Sequence, residues 1–249
     1  MAKVDRKKLL KQPDEFLTFS GRAIRWGKQN LKMLTIGGSA LVLAIAVTLG
    51  IQTYLNYRAS QAGKALAEVY DDFVAIMIGQ ADAAQAESVA TGLGQVVERF
   101  GATEAGMQAR LALGELWLRQ GQPEKAEKAL LSLSEEPYLP APLAPLALAA
   151  LGRSLEQRQK LSEAAEAYAN AAKAAGPSQA ALFRLDRARV LEAGGDKAQA
   201  EALYRELLRG AKDPLLSQTA RQRLVALGLE PGPETPPAAP EPAPQPAAK

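Results

Sequence analysis

A repeated segment first occurs at residues 113–126, which read LGELWLRQGQPEKA. Two later stretches align with it without a gap, LGRSLEQRQKLSEA at residues 151–164 and RARVLEAGGDKAQA at residues 187–200. Each ends on an alanine, with spacings of 38 residues (164 − 126) and 36 residues (200 − 164). The surrounding chain is rich in Ala and Leu, with Gly or Pro at helix-length intervals, which is typical of helices. The sequence therefore predicts an all-α fold built from a repeated unit.

These segments resemble tetratricopeptide repeats (TPRs), which are helix–turn–helix units of about 34 residues. In that family, small residues let paired helices pack closely, and a large apolar residue follows one turn after the second small one. The resemblance implies repeats at about 105–137, 143–177 and 180–214, within a right-handed α-solenoid of helix pairs over residues 58–228. The matching packing residues are Gly114, Ala126, Leu130, Gly152, Ala164, Tyr168, Ala188, Ala200 and Tyr204.

Prolines separate the repeated units, since Pro137, Pro177 and Pro214 each fall near the end of one. A proline there is expected to stop the second helix. Two features depart from the family pattern. Arg187 replaces an apolar residue of the first helix, and residues 137–145 form a long, proline-rich joint.

Weaker helical patterns flank the three repeats. A degenerate helix pair is expected from about 60 to 78 and from about 81 to 100, with Gly79 at the turn, because its apolar residues recur at helical spacing. A helix from about 215 to 227 is expected to close the stack with a polar outer face.

Residues 33–57 contain no charged side chain. A helix of that length crosses the roughly 30 Å hydrocarbon core of a bilayer and satisfies its own backbone groups there. A signal peptide has an apolar run of about 7–15 residues near its start, whereas this run is longer and begins after residue 32. The sequence predicts a retained transmembrane helix that contacts the lipid bilayer.

Charge around this helix is asymmetric. The 32 residues before it contain nine basic and three acidic side chains, and Lys and Arg favour the cytoplasmic face. The N-terminus is therefore expected in the cytoplasm and the large domain outside. Subtraction leaves 21 basic (30 − 9) and 24 acidic (27 − 3) residues in the remainder. That slightly acidic balance argues against nucleic-acid binding.

The segment before the span, residues 1–32, is a basic tail in which residues from about Asp14 suggest a short amphipathic helix on the lipid surface. The alternative is that its aromatic and cationic residues only anchor the transmembrane helix at the interface. The expected interface residues are Trp26, Lys28, Lys32, Tyr54 and Tyr57.

The C-terminal segment 229–249 is dominated by Pro and Ala. Such composition lacks the large apolar side chains needed for a core, so disorder with polyproline II character is expected. It is either a spacer or ligand for a proline-binding partner, or an inert tail.

The chain has no cysteine and no histidine. Thiolate nucleophiles, imidazole bases, disulfides and ordinary Cys/His zinc sites are therefore excluded. No paired carboxylates or activated Lys or Ser stand out, so the sequence predicts a protein that is not an enzyme and that needs no cofactor or metal.

The TPR resemblance also implies a binding groove on the concave face of the array, lined by first-helix residues. Mixed Arg, Glu and Gln there suit a peptide backbone and charged side chains, although such residues also occur on plainly solvated helix faces. The expected groove residues are Gln108, Glu115, Arg119, Arg153, Glu156, Gln157, Arg189 and Glu192.

A basic tail, one membrane span and a modest TPR-like domain outside make the chain similar to the YfgM-like ancillary subunits of the bacterial Sec translocon, over about residues 15–228. That resemblance implies a scaffold or co-chaperone in the inner membrane, with its large domain in the periplasm, that contacts translocon subunits and a periplasmic chaperone. The alternative is an assembly factor for another envelope complex, such as those of cell division, cytochrome maturation or secretion. The oligomeric state is left open.

Overall fold

The structure is a computed structural model. It describes residues 15–80, 82–210 and 213–231, with backbone alone at 15–20 and 23. These residues contain ten α-helices and no strand, which confirms the all-α prediction. The helices in chain order are α1 Glu15–Gln29, α2 Leu31–Met77, α3 Ala83–Phe100, α4 Glu104–Arg119, α5 Pro123–Ser134, α6 Ala144–Gln157, α7 Leu161–Ala174, α8 Pro177–Ala193, α9 Lys197–Gly210 and α10 Pro214–Ala226.

The chain divides into two compact units, residues 1–57 and 58–249. In the first unit, the apolar stretch of α2 is long enough to cross a membrane, and none of it is buried. Its hydroxyl groups bond to the helix itself: Thr48 Oγ1 donates to the Ala44 carbonyl oxygen at 2.8 Å. All five expected interface residues are exposed, on α1 or α2, whereas the expected cap Asp14 lies outside the described residues.

The prediction of a separate helix beginning near Ser60 is wrong, because α2 continues unbroken to Met77. Residues 58–60 are Arg-Ala-Ser, which contain neither the proline nor the glycine that would end a helix. The expected turn at Gly79 is present with a φ of 81°, a conformation that glycine adopts without steric cost. After it, α3 begins at a capping box on Asp82.

In the second unit, each helix from α3 onward packs on the next in chain order, while α4 also packs on α6 and α8 on α10. This is the arrangement of stacked helix hairpins, in which each unit contacts its neighbours. We number the three repeat hairpins by their helices: hairpin 1 is α4–α5, hairpin 2 is α6–α7 and hairpin 3 is α8–α9.

Within each hairpin, a small residue of the first helix faces a large residue of the second. A Cβ added to Gly114 would lie 2.7 Å from Leu130 Cδ2, and one added to Gly152 would lie 2.9 Å from Tyr168 Cε1. In hairpin 3, Ala188 and Tyr204 are fully buried in one cluster. The second small positions, Ala126, Ala164 and Ala200, are fully buried as well.

The turn inside each hairpin contains one residue with positive φ, seven positions after the small residue. Hairpins 1 and 3 have Gly121 and Gly195 there, at φ of 70° and 87°. Hairpin 2 has Gln159 at φ of 60°, a left-handed conformation that costs a side-chain-bearing residue roughly 1–2 kcal/mol.

Two of the three boundary prolines open helices rather than close them. Pro177 and Pro214 are the first residues of α8 and α10, where a proline loses no helical hydrogen bond and its φ is already suitable. Pro137, in contrast, lies in the turn between α5 and α6. Hairpin 3 therefore starts a few residues before the expected boundary at 180.

The stack closes with α10, close to the expected bounds of 215–227. After it, Leu229 packs against the cluster that contains Tyr204 and Leu224. The first residue of the expected tail is thus part of the folded domain, because its apolar side chain finds a partly buried site. Residues 232–249, most of that tail, lie outside the described part of the chain.

Candidate functional site

The eight expected groove residues all lie on α4, α6 and α8, the first helices of the three hairpins. Each is half-buried or exposed. Five of them take part in ion pairs or hydrogen bonds that link successive first helices or fix a carboxylate. The other three bond elsewhere.

Arginine–glutamate pairs join each first helix to the next. Arg153 of α6 pairs with Glu115 of α4, and Arg189 of α8 pairs with Glu156 of α6. Arg223 of the closing helix α10 lies 3.8 Å from Glu192 of α8. We call this set the ladder face, made of Glu115, Arg153, Glu156, Arg189, Glu192 and Arg223.

The central pair of the ladder face has fork geometry. Arg189 donates from Nη1 to Glu156 Oε1 and from Nη2 to Glu156 Oε2, the latter at 2.8 Å. The paired N–H groups match the two carboxylate oxygens in geometry. Because both partners are charged, these hydrogen bonds are stronger than neutral ones. Asp186 lies 3.7 Å from the same guanidinium, so the single positive charge of Arg189 faces two carboxylates.

Buried tyrosines of the second helices donate hydrogen bonds to two glutamates of the ladder face. The Tyr168 hydroxyl donates to Glu156 Oε2 at 3.4 Å, and the Tyr204 hydroxyl donates to Glu192 Oε2 at 2.7 Å. Both tyrosines are fully buried. The large residue that packs each hairpin therefore also positions a charge on the ladder face.

These contacts shift the ionisation of the cluster. The Arg189 hydrogen bonds hold the pKa of Glu156 below its usual range despite partial burial. Burial raises the pKa of Asp186, although Arg189 opposes that shift. Burial also raises the pKa of Tyr168 well above its usual range.

The remaining three expected residues bond outside the ladder face. Arg119 Nη1 donates to the Met77 carbonyl oxygen at 3.0 Å and so caps the last turn of α2. Gln157 Nε2 donates to the Leu118 carbonyl oxygen at 3.5 Å. Gln108 bonds at 3.4 Å to a glutamate on its own helix, one turn earlier.

Arg223 and Asp186 were missed by the sequence analysis. Arg223 lies on a closing helix outside the repeat pattern, and no spacing within the repeats points to it. The Tyr–Glu bonds had a signal in the sequence, since Tyr168 and Tyr204 each follow a glutamate by 12 residues.

A second ionic cluster lies at the turn of hairpin 2. Lys160 Nζ is 2.8 Å from Glu127 Oε1, and Arg158 pairs with the other Glu127 oxygen. Burial alone would raise the pKa of Glu127, but the hydrogen bonds from Lys160 and Arg158 lower it overall. This cluster joins α5 of hairpin 1 to the turn between α6 and α7 of hairpin 2. It contains none of the expected groove residues.

Two clefts of about 850 and 800 Å³ lie between α7, α8, α9 and the start of α10, and neither is lined by an expected groove residue. Within the described residues, no group of three or more acidic side chains is placed to hold a metal. The ladder face is an extended polar surface, which can bind a protein segment by hydrogen bonds and ion pairs.

Comparison with known families agrees with the hairpins. Residues 111–180 and 149–214 match the family model described as Tetratricopeptide repeat. The two overlapping matches run from α4 to the beginning of α10. No curated protein and no solved structure matches the chain. The chain therefore contains TPRs, whereas its resemblance to the YfgM-like subunits stays a prediction.

Proposed function

We propose that this protein is a membrane-anchored scaffold that binds other proteins through the ladder face. TPR arrays are typically interaction scaffolds without catalytic activity, and stacked repeats offer extended binding surfaces. The observation that carries the proposal is the line of half-exposed Arg and Glu side chains across three first helices and α10.

The ladder face can receive a partner without losing its own pairs. Arg153 bonds to Glu115 through Nη2, while a guanidinium carries five N–H donors in all. Its side chain is 46% exposed, the most exposed of the ladder arginines on the repeat hairpins. A carboxylate or backbone carbonyl of a partner can therefore bond to Arg153 while Glu115 holds it in place.

The proposed location is the bacterial inner membrane, with residues 1–32 in the cytoplasm, residues 33–57 in the bilayer and the repeat domain in the periplasm. The uncharged part of α2 and the basic residues before it support this orientation. The proposed partners are translocon subunits, a periplasmic chaperone and newly exported chains, which the overall architecture suggests.

The location is tested by single cysteines, because the chain has none of its own. In whole cells with a permeabilised outer membrane, Gln80→Cys should react with a membrane-impermeant thiol reagent and Val4→Cys should not. Reversed labelling would overturn the orientation.

The partner is tested by photo-crosslinking in cells from Gln157, which is exposed beside the ladder on α6, with Lys128 on α5 as the matched exposed control. We expect defined protein adducts from position 157 that are absent from position 128. Translocon subunits and periplasmic chaperones among the adducts would support the export role. One dominant partner from another envelope complex would overturn that role and keep the scaffold.

A further inference from the structure

An exposed apolar stripe lies on the last part of α2, in the second unit. Tyr70, Val74 and Ile78 are 44%, 39% and 62% exposed, and they recur every four residues. Ile78 continues the helical hydrogen bonding, since its N–H donates to the Val74 carbonyl oxygen at 3.0 Å. The three side chains therefore share one face.

Small residues extend the stripe toward the N-terminus of the helix. Gly63 and Ala67 are exposed, and a Cβ added to Gly63 would meet no atom within 4 Å. Small residues one turn apart let a second helix approach closely. We call Gly63, Ala67, Tyr70, Val74 and Ile78 the α2 stripe.

Other faces of the same helix are already used. Ala62, Leu66, Phe73 and Ile76 are buried in the cluster shared with α3 and α4. None of the stripe positions is charged, and the charged residues of this part of α2 lie at other positions: Arg58, Lys64, Glu68, Asp71 and Asp72. The α2 stripe is thus an uncharged, uncovered face between a packed face and a charged one.

The stripe also lies at an open end of the repeat stack. At the other end, α10 covers hairpin 3 and buries Leu216, Ala220 and Leu224. Terminal repeats usually present a polar outer face to water. Among the described residues, α2 and α3 form the first hairpin of the stack, and the α2 stripe gives that hairpin an apolar outer face.

We propose that a second copy of this chain covers the α2 stripe, with the two α2 helices parallel. This inference rests on the proposed membrane anchor. Two copies in one bilayer share the same orientation, and the stripe begins six residues after Tyr57 on the helix that carries the apolar segment. Identical stripes therefore meet at the same level and run in the same direction.

The spacing of the stripe fits a parallel pair. Gly63, Ala67, Tyr70 and Val74 alternate steps of four and three residues, the pattern of a two-helix seam. No charge lies at these positions, so close approach of two copies leaves no ion unpaired at the contact. The small Ala67 gives the Tyr70 rings room beside the seam.

The absence of native cysteines makes the contact directly testable. Ala67→Cys and Val74→Cys lie on the stripe, and the exposed neighbours Glu68→Cys and Asp72→Cys serve as matched controls. In native membranes under mild oxidation, the full-length stripe variants should form disulfide-linked dimers roughly fivefold more than the controls, because a disulfide needs nearby Cα atoms.

Equal yields at all four positions, no dimer at either stripe position, or adducts to a different protein alone would overturn the proposal. A second variant guards against misleading chance collisions: Tyr70→Glu in the Ala67→Cys background should abolish the dimer while the helical content is retained. Persistent dimer in that variant would also contradict the inference.

The outcome is separable from that of the proposed function. If Gln80→Cys is labelled from outside and no stripe dimer forms, the self-association fails alone. If Val4→Cys is labelled instead, the anchored orientation fails, and with it the argument for parallel copies.

Discussion

Hairpins 1 and 2 fill the same position with different chemistry. In hairpin 1, Leu130 packs on Gly114 and follows the buried Leu118 by 12 residues. In hairpin 2, Tyr168 packs on Gly152 and follows Glu156 by 12 residues, to which its hydroxyl bonds. An apolar pair on one backbone is thus replaced by a polar pair on an equivalent one.

The difference decides what each hairpin connects. Leu118 and Leu130, which are buried in the same cluster, contribute apolar burial to the core alone. The Tyr168–Glu156 pair also reaches hairpin 3, because Glu156 accepts both hydrogen bonds of Arg189. The polar arrangement therefore couples neighbouring repeats and places charge on the ladder face.

The largest expected loss of stability comes from Leu130→Ala in hairpin 1. Leu130 is fully buried against Gly114, which has no side chain to fill the space. We expect a loss of about 3 kcal/mol in the free energy of unfolding. Denaturant unfolding of the full-length protein in detergent measures it, and a loss below about 1 kcal/mol would show that this contact is not central to hairpin 1.

In hairpin 2, Glu156→Gln removes the negative charge to which Arg189 and Tyr168 both donate hydrogen bonds. We expect a loss of about 2 kcal/mol, less than for Leu130→Ala because water reaches the Glu156 and Arg189 side chains. Glu115→Gln is the matched control, since Glu115 has a single arginine partner and no tyrosine. Equal losses from the two variants would show that the Tyr168 and fork contacts add nothing.

Acid should weaken the polar junction selectively. A carboxyl whose folded pKa is lowered stabilises the fold above its unfolded pKa, near 4.5 for Glu156, and that contribution is lost as pH falls through the folded pKa. The raised pKa of Asp186 acts in the opposite sense and offsets part of the loss. The melting temperature from pH 7 to pH 3 should therefore fall more in the wild type than in Glu156→Gln. Parallel curves would contradict the assignment.

The tyrosine–glutamate hydrogen bonds of hairpins 2 and 3 differ in length, so their removal should cost different amounts of stability. Tyr204→Phe removes a 2.7 Å bond to Glu192 and should cost about 1.5 kcal/mol. Tyr168→Phe removes a 3.4 Å bond and should cost about 0.5 kcal/mol, since hydroxyl bonds weaken at that distance. Chemical unfolding of both variants should preserve this order, and a reversed order would refute the geometry.

One substitution in hairpin 2 is expected to raise the stability of the fold. Gln159→Gly places in hairpin 2 the residue that hairpins 1 and 3 have at the same turn, and should stabilise the fold by about 0.5–1 kcal/mol. Gly195→Gln is the reverse change and should destabilise it by a similar amount. If thermal unfolding shows both variants to be neutral, positive φ at this turn carries no strain.

The repeat pattern could be predicted from the sequence because it depends on local spacing. The alanines at 126, 164 and 200 and the prolines near each boundary mark helix pairs without any tertiary information. The break expected near Ser60 shows the limit of this reasoning. The helical spacing of the apolar residues after position 60 suggested a new helix, but the backbone contains nothing there that stops the preceding one.

The candidate site was predictable in its residues more than in its contacts. The register between first helices determines that Arg189 meets Glu156 and that Arg153 meets Glu115, and spacing along the chain does not encode that register. Arg119 illustrates the same point, since its partner is the Met77 carbonyl of a helix outside the recognised repeats. The sequence predicted that Arg119 lies on the first helix of a repeat, but it did not predict that Arg119 bonds to α2.

The order of charges along the ladder face is expected to determine partner binding. Glu115→Arg with Arg153→Glu swaps that order and keeps an ion pair, and Arg184→Glu with Glu206→Arg is the matched swap away from the ladder. Both leave the net charge unchanged.

Partner capture from native membranes should be measured for both swaps beside the wild type. We predict at least about a tenfold loss for the ladder swap, because misplaced like charges cost several kcal/mol, with unchanged helical content and normal capture by the control. Undiminished capture by a folded ladder swap would contradict the account.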